Sequence, residues 1–297
     1  MEPLVSILIP VFNHSKFVLH CLNSMLTIDY LNIELVICDD GSTDDSYSKV
    51  KTWLESNPSV RAKLFTQKNQ GVCKTLNRLI KESSGEYIAL CASDDCLTPD
   101  SIKLRVLALQ QHPNKLAVIG DALLIDQESN VIAESAMQHL YKANYGRLQT
   151  DLISELIFRW SVVGPSLLIK KDAYNQIGFY DESLLVEDRD FYLRLLKVNS
   201  LMFIPEIVSC YRIHTGNASR KSIAARLVIL KDVAVSNYKH AGCFSGLKKA
   251  FLLSHKVDLL VLEKINTFIT YRLLFVIRGL RYCTFNIIRL FSTNKHS

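Results

Sequence analysis

Carboxylates gather in this sequence where apolar runs stop. The run Ile33–Cys38 ends in Asp39-Asp40-Gly41-Ser42, and the run Tyr87–Cys91 ends in Ala92-Ser93-Asp94-Asp95. A third acidic pair, Glu187-Asp188, opens an amphipathic stretch, and an earlier run from Leu4 closes on Pro10-Val11-Phe12-Asn13. Carboxylates repel a diphosphate, but a hard divalent cation held between them removes the conflict, and oxygen donors suit Mg²⁺ or Mn²⁺. A further carboxylate, kept apart from the cation, can take the proton of a hydroxyl as it attacks a carbon bearing a diphosphate leaving group. These residues therefore point to group transfer from a metal-bound nucleotide diphosphate, with one carboxylate on the cation and a separate one for the proton.

The elements around these residues must bring them to one place. Leu4–Val11 and Ile33–Cys38 are short continuous apolar runs, the pattern of strands buried on both faces. Residues 15–28 have helical spacing, Ser42 and Asp45 have the spacing of a capping box, and strand and helix patterns alternate on to about residue 111. Such alternation implies parallel pairing with right-handed crossovers, which sets the acidic motifs at the carboxyl ends of adjacent strands, where open α/β sheets bind ligands. Past residue 115 the pattern predicts a hairpin over 116–134, a helix near 150–159, a strand at 166–170, a helix at 187–198 and a short strand pair near 201–213. From about residue 222 to 291 it is helical. Each motif also has a plainer reading: a strand-to-helix turn for Asp39-Asp40, a helix cap for Asp94-Asp95, a solvated first turn for Glu187-Asp188. Asp190 and Arg194, four apart, read as a helix ion pair. Trp160 reads either as part of an acceptor platform, because sugar faces stack on aromatic rings, or as core.

The segments VSILIPVFN, VICDDGSTDDS, NQGVCKTLN, GEYIALCASDD with Pro99, EDRDFYLRL and YRIHTGNAS resemble, in order, the signatures of family 2 glycosyltransferases. The resemblance covers residues 4 to about 220. It implies the GT-A fold, a Rossmann-like mixed, mostly parallel sheet flanked by helices, and inversion at the anomeric carbon. Position by position it implies a nucleotide site of Pro10, Val11, Phe12, Asn13, Asp39, Asp40, Lys74 and Ser93. It further implies a metal site of Asp94, Asp95 and His214, and a catalytic pair of Asp188 and Glu187. The sequence departs from the family at Ala92, which stands where the first aspartate of the D-x-D element would be, and at Leu76, where an arginine is common.

Apolar residues are 48% of the 297 and charged residues 22%, as in a globular chain with a real core. The net charge of +6 belongs to the tail: Lys248 to Lys295 holds nine Lys/Arg against Asp258 and Glu263, leaving the rest slightly acidic. That distribution speaks against nucleic acid as a partner and for an anionic surface met by the C-terminus. Arg278, Arg281 and Arg289 fall on one side of a helix, the pattern of a helix lying in a membrane interface or of one packed on the protein body or in a dimer. The eight scattered cysteines read as free thiols in a reducing compartment. The expectation is a catalytic domain over 1–222 and a helical basic amphipathic extension over 223–297. The protein would be cytoplasmic and peripheral on the inner face of the membrane, moving a sugar from a UDP-sugar to a glycan or polyprenyl-linked acceptor during surface polysaccharide synthesis. Two rivals are a non-catalytic scaffold that binds nucleotide-sugar or glycan, which Ala92 favours, and a nucleotidyltransferase. The latter would want a glycine-rich loop after the first strand, where PVFNHSKF stands.

Overall fold

The computed structural model describes residues 2–217, 222–263 and 267–293. Its N-terminal half follows the alternation: β1 (Val5–Val11), α1 (Val18–Met25), β2 (Ile33–Asp39), α2 (Ser46–Ser56), β3 (Ala62–Thr66), α3 (Val72–Glu82) and β4 (Tyr87–Leu90). The four strands lie parallel in the order β3-β2-β1-β4. Both faces are covered. Ile7, Ile9, Leu35 and Ile37 pack in one core with Val18 and Leu22 of α1, while Leu8, Val36 and Cys38 pack in another with Leu76 and Leu79 of α3. Successive strand residues point to opposite faces, which is why these runs show no polar alternation.

The second half changes direction. After β5 (Cys96–Leu97) and α4 (Ser101–Gln111), β6 (Ala117–Ile125) and β7 (Val131–Ala133) form the expected hairpin. Three short helices follow: α5 (Ala136–Tyr141), α6 (Tyr145–Thr150) and α7 (Leu152–Arg159). The strand β8 (Leu168–Lys170) joins β4 antiparallel, and β9 (Leu201–Arg212) pairs parallel with β6 and antiparallel with β5. The sheet order is completed as β4-β8-β6-β9-β5. Between these strands lie α8 (Ala173–Ile177) and α9 (Asp188–Lys197), and four helices close the chain: α10 (Ile223–His240), α11 (Gly246–Ser254), α12 (Lys256–Leu262) and α13 (Thr267–Thr293).

Two expectations need correction, and two helices have no counterpart in the sequence pattern. Ser42 does not cap a helix: α2 begins at Ser46, and the Ser42 hydroxyl accepts the Asn13 N–H at 3.0 Å instead. Residues 201–213 are one long strand rather than a pair; β9 carries Pro205, and its register with β6 shifts on either side of Asp121. Two helices in 136–150, α5 and α6, were not foreseen. Ser135 and Asn144 cap them, each accepting a backbone N–H, and neither helix exceeds six residues, too few for periodicity to declare itself. All eight cysteines are free thiols, five of them buried.

Candidate active site

Parallel pairing puts the tips of β2, β1 and β4 side by side, and side chains sew them together. Asn13, at φ 54, turns the chain after β1. Its Oδ1 accepts the Thr43 N–H at 2.8 Å, while its own N–H goes to Ser42. His14 follows: its N–H is held by Ser46 Oγ at 2.9 Å and its Nδ1 meets Ser93 Oγ at 2.8 Å. The three tips are one surface.

On that surface the nucleotide candidates divide. Asp39 is buried; its Oδ2 accepts the Ser42 N–H at 3.0 Å, and its Oδ1 has no partner. A buried carboxylate oxygen without a donor is costly in a folded protein. Asp40 is spent differently: Oδ1 accepts from Gln67 Nε2 (2.8 Å) and the Gln70 N–H (2.9 Å), and Oδ2 from the Gly71 N–H (2.9 Å). It shapes the loop ahead of α3. The Val11 side chain lies in the core and its carbonyl accepts the Asp40 N–H, so its contribution is to backbone placement. Pro10 is half-buried, Phe12 is 40% exposed, Lys74 is exposed on α3, and Ser93 is fully buried beneath His14.

The metal candidates also divide. Asp94 Oδ2 lies 3.0 Å from His214 Nε2, and Asp94 Oδ1 lies 3.6 Å from His14 Nδ1. Ligand atoms of these three residues all fall within 4.8 Å of one another. Burial alone would raise the Asp94 pKa, but the hydrogen bond from His214 and the nearby His14 outweigh it and hold the carboxyl below its ordinary value. Asp95 is turned inward, where its Oδ1 accepts the Arg212 N–H at 2.9 Å. Burial and the Asp94 charge push Asp95 well up. Within the fitted triad the carboxylate is therefore Asp94, and Asp95 serves the turn.

His14 and Arg212 were not singled out from the sequence. Arg212, at the end of β9, is almost wholly buried; its Nε donates to the Asp94 carbonyl (2.7 Å), one terminal nitrogen to the Asp126 carbonyl (2.8 Å), and the other meets His20 Nδ1 (2.8 Å). It also lies 5.1 Å from the centroid of Phe17, whose ring packs 4.5 Å from that of His214. One guanidinium thus locks the acidic turn after β4 to the strand that delivers His214.

Glu187 and Asp188 stand at the start of α9, half-buried. Burial raises the Asp188 pKa, and the Arg189 N–H at 2.5 Å from its Oδ1 only partly opposes this. Burial and then the Asp188 charge push Glu187 up to about 7. The next residue, Arg189, is fixed by Asn237 Oδ1 (2.6 Å) and the Leu156 and Ile157 carbonyls (2.9 and 3.1 Å), and its guanidinium lies 4.8 Å from the Trp160 ring centre. Trp160, at φ 48, ends α7 with its ring edge-on to Tyr192 at 5.4 Å. Trp160 is thereby brought beside the helix that carries Asp188.

Among the described residues no helix is long and apolar enough to cross a membrane. Of the basic face expected on α13, Arg281 is turned inward. Arg281 is buried against Asp258 of α12, donating to both carboxylate oxygens, and Arg278 is largely enclosed. The Arg289 side chain lies outside the described residues. The outward face carries Phe268, Ile269, Phe275, Val276, Leu280, Ile287 and Ile288 instead.

Residues 6–170 match the model of Glycosyl transferase family 2. The chain is 31% identical over 224 residues to chondroitin synthase from Escherichia coli, which covers 74% of this chain and 30% of that protein. It is likewise 31% identical over 221 residues to an uncharacterized glycosyltransferase of Rickettsia felis, covering 74% of this chain and 36% of the relative. The chain therefore spans about a third of the length of these curated relatives. Among solved structures it superposes on S. aureus TarS 1–349 in complex with UDP-GlcNAc with a TM-score of 0.62 at 18% identity, covering 86% of this chain and 72% of the other. The mannosyltransferase PcManGT from Pyrobaculum calidifontis, in complex with GDP-Man and Mn2+, gives 0.63 at 15% identity over 98% and 88%. At these identities the likeness is one of fold.

Proposed function

Since this chain belongs to glycosyl transferase family 2 and has the GT-A fold, we propose that it moves a sugar, with inversion, from a nucleotide diphosphate sugar to an acceptor hydroxyl. The observation that carries the reading is the joined surface of three strand tips, with an unpartnered Asp39 oxygen at one end and the Asp94 cluster at the other. Their separation of roles fits a ligand with a base at one end and a diphosphate at the other. Asp39 Oδ1 would accept an N–H of the base, and Phe12 would cover its face. UDP is the default nucleoside. Asp94 and His214 would hold Mn²⁺ or Mg²⁺, which supplies Lewis-acid stabilisation to the departing diphosphate.

The protein's own work is then positioning and proton transfer. Asp188 would accept the acceptor's proton as its oxygen attacks the anomeric carbon. Its raised pKa makes it a stronger base than an exposed aspartate, and Glu187 beside it favours a single ionised carboxyl at lower pH. Trp160 would support the acceptor sugar. A glycan or lipid-linked glycan acceptor in surface polysaccharide synthesis fits the outward apolar face of α13. That face holds no Asp or Glu, and exposed Lys249, Lys256 and Arg272 lie on α11–α13. Apolar area plus nearby cations is the recipe for seating on an anionic lipid surface. The unit over 1–222 would carry the chemistry, and 223–297 would seat it.

Asp188→Asn tests the central assignment. Transfer should fall by about two to four orders of magnitude, the range general-base catalysis contributes, while UDP-sugar binding by calorimetry stays within a factor of two or so. Unchanged turnover would refute Asp188 as the base.

A further inference from the structure

The D-x-D element of this chain lacks its first carboxylate, Ala92 standing in its place, and Asp95 is occupied by the Arg212 backbone. The geometry points to His14 as the residue that completes the site. We infer that His14, Asp94 and His214 form a two-imidazole, one-carboxylate centre that selects a transition-metal cation such as Mn²⁺ or Co²⁺ over Mg²⁺. The use of that cation rests on the glycosyltransferase reading; its binding does not.

Four observations lead there. First, donor atoms bound to one cation at about 2.1 Å lie up to about 4.2 Å apart, and the three here lie within 4.8 Å of one another. A small contraction closes the set. Second, the two imidazoles address different oxygens of the same carboxylate, His14 facing Oδ1 and His214 facing Oδ2. Their rings stand at 87° with centroids 5.8 Å apart, so both approach Asp94 from separate sides. Third, the main chain at both histidines is pinned: Ser46 Oγ accepts the His14 backbone N–H, Asn217 Oδ1 accepts the His214 backbone N–H at 2.6 Å, and Phe17 packs on the His214 ring. Ser93 Oγ lies 2.8 Å from His14 Nδ1, the nitrogen that faces Asp94, and yields it when a cation binds. Fourth, Ala92 places no side-chain donor beside Asp94, leaving coordination positions for ligand oxygens.

The chemistry of the donors sets the preference. Mg²⁺ takes oxygen ligands and gives up its water reluctantly, whereas imidazole nitrogen suits later divalent ions, with affinity rising from Mn²⁺ to Co²⁺. Exchanging a carboxylate for a neutral imidazole also leaves the protein's share of the site at one negative charge. The cation then keeps more of its positive field for a diphosphate. Its entry has a structural consequence. His214 Nε2 shares a proton with Asp94 while its Nδ1 accepts the Gly216 N–H at 3.1 Å. A cation on Nε2 displaces that proton, and the Gly216 contact must open.

The test is metal binding to the full-length protein without nucleotide. Titration calorimetry with MnCl2, CoCl2 and MgCl2 should give the affinity order Co²⁺, Mn²⁺, Mg²⁺. Pulsed electron paramagnetic resonance of the Mn²⁺ complex should show modulation from two directly bound nitrogens. His14→Ala should remove one nitrogen signal and weaken Mn²⁺ by about tenfold or more, the scale on which partners of a metal centre act. Ala92→Asp, which adds the missing carboxylate at a partly exposed position, should raise Mg²⁺ affinity relative to Mn²⁺. The melting temperature and far-ultraviolet circular dichroism of each variant serve as the folding control. One nitrogen or none in the wild-type protein, or His14→Ala binding Mn²⁺ unchanged while folded by these measures, overturns the inference and leaves the transferase reading standing. Two nitrogens in a protein that binds no nucleoside diphosphate would sustain the metal centre and sink the transferase reading.

Discussion

Single residues at the proposed site carry strained charge, and the acidic pair at the start of α9 shows it best. The folded protein holds Glu187 and Asp188 above their ordinary pKa values, so it binds protons more readily there than the unfolded chain does. A raised carboxyl favours folding below the unfolded pKa, and that contribution is lost as pH rises through the folded one. For Glu187 the loss runs from near 4.5 to about 7. Glu187→Gln should therefore raise the melting temperature at pH 8 and change it little at pH 4. Equal shifts at both pH values would show that the carboxyl is not strained. At this scale the sequence was informative about charge and silent about direction. Asp94, Asp188 and His214 were offered by the family resemblance, and the structure brings Asp94 and His214 together, yet nothing in Asp39-Asp40 told which aspartate keeps a vacant oxygen and which is consumed by the Gln67–Gly71 loop. For His14, proposed above as a ligand, the signal was a histidine just past a strand end in a chain with alanine at position 92 where the family has an aspartate.

At the scale of elements, what matters is how α9 is held. Asp232 of α10 accepts the Leu185 N–H at 2.7 Å and the Val186 N–H at 3.3 Å, just ahead of the acidic pair. Asn237 grips Arg189, and Asp190 bonds Arg194, Lys239 and His240. The Asp190–Arg194 pair was legible as a four-residue spacing; its two partners on α10 were not, because they lie about fifty positions away. The C-terminal helices thus grip the start of α9, where the proposed base stands, as well as covering the protein. Asp232→Ala strands two backbone donors, a loss of about 1–3 kcal/mol by chemical denaturation. It should also lower kcat while leaving donor affinity in place, with Asp232→Asn restoring part of both. A fall in stability with kcat intact would reduce Asp232 to a fold element. The parallel half of the sheet was readable because its runs are continuous and buried on both faces. Residues 136–150 and β5 were not, since pieces of two to six residues hold too little periodicity.

The whole molecule has a side. Phe158 of α7 packs on Phe251 and Phe285, so α13 rests on the helix that ends in Trp160. The outward apolar face of α13 therefore belongs to the same layer as the proposed acceptor platform. Flotation with anionic phospholipid vesicles should recover the protein, and neutral vesicles should recover less. The double variant Phe275→Glu, Leu280→Glu, at positions 74% and 65% exposed, should abolish recovery without lowering the melting temperature. Retention by that variant would exclude α13 as the seat. The charge count in the sequence located the basic tail but not the direction of Arg281, because helical spacing shows which residues share a face and not whether that face turns in or out. Buried Asp258 decided the matter by drawing Arg281 inward. The same reversal means that water is a poor solvent for this side of the protein. Released from any lipid, copies would tend to meet through α13 like oiled palms, and dilution or mild detergent would part them.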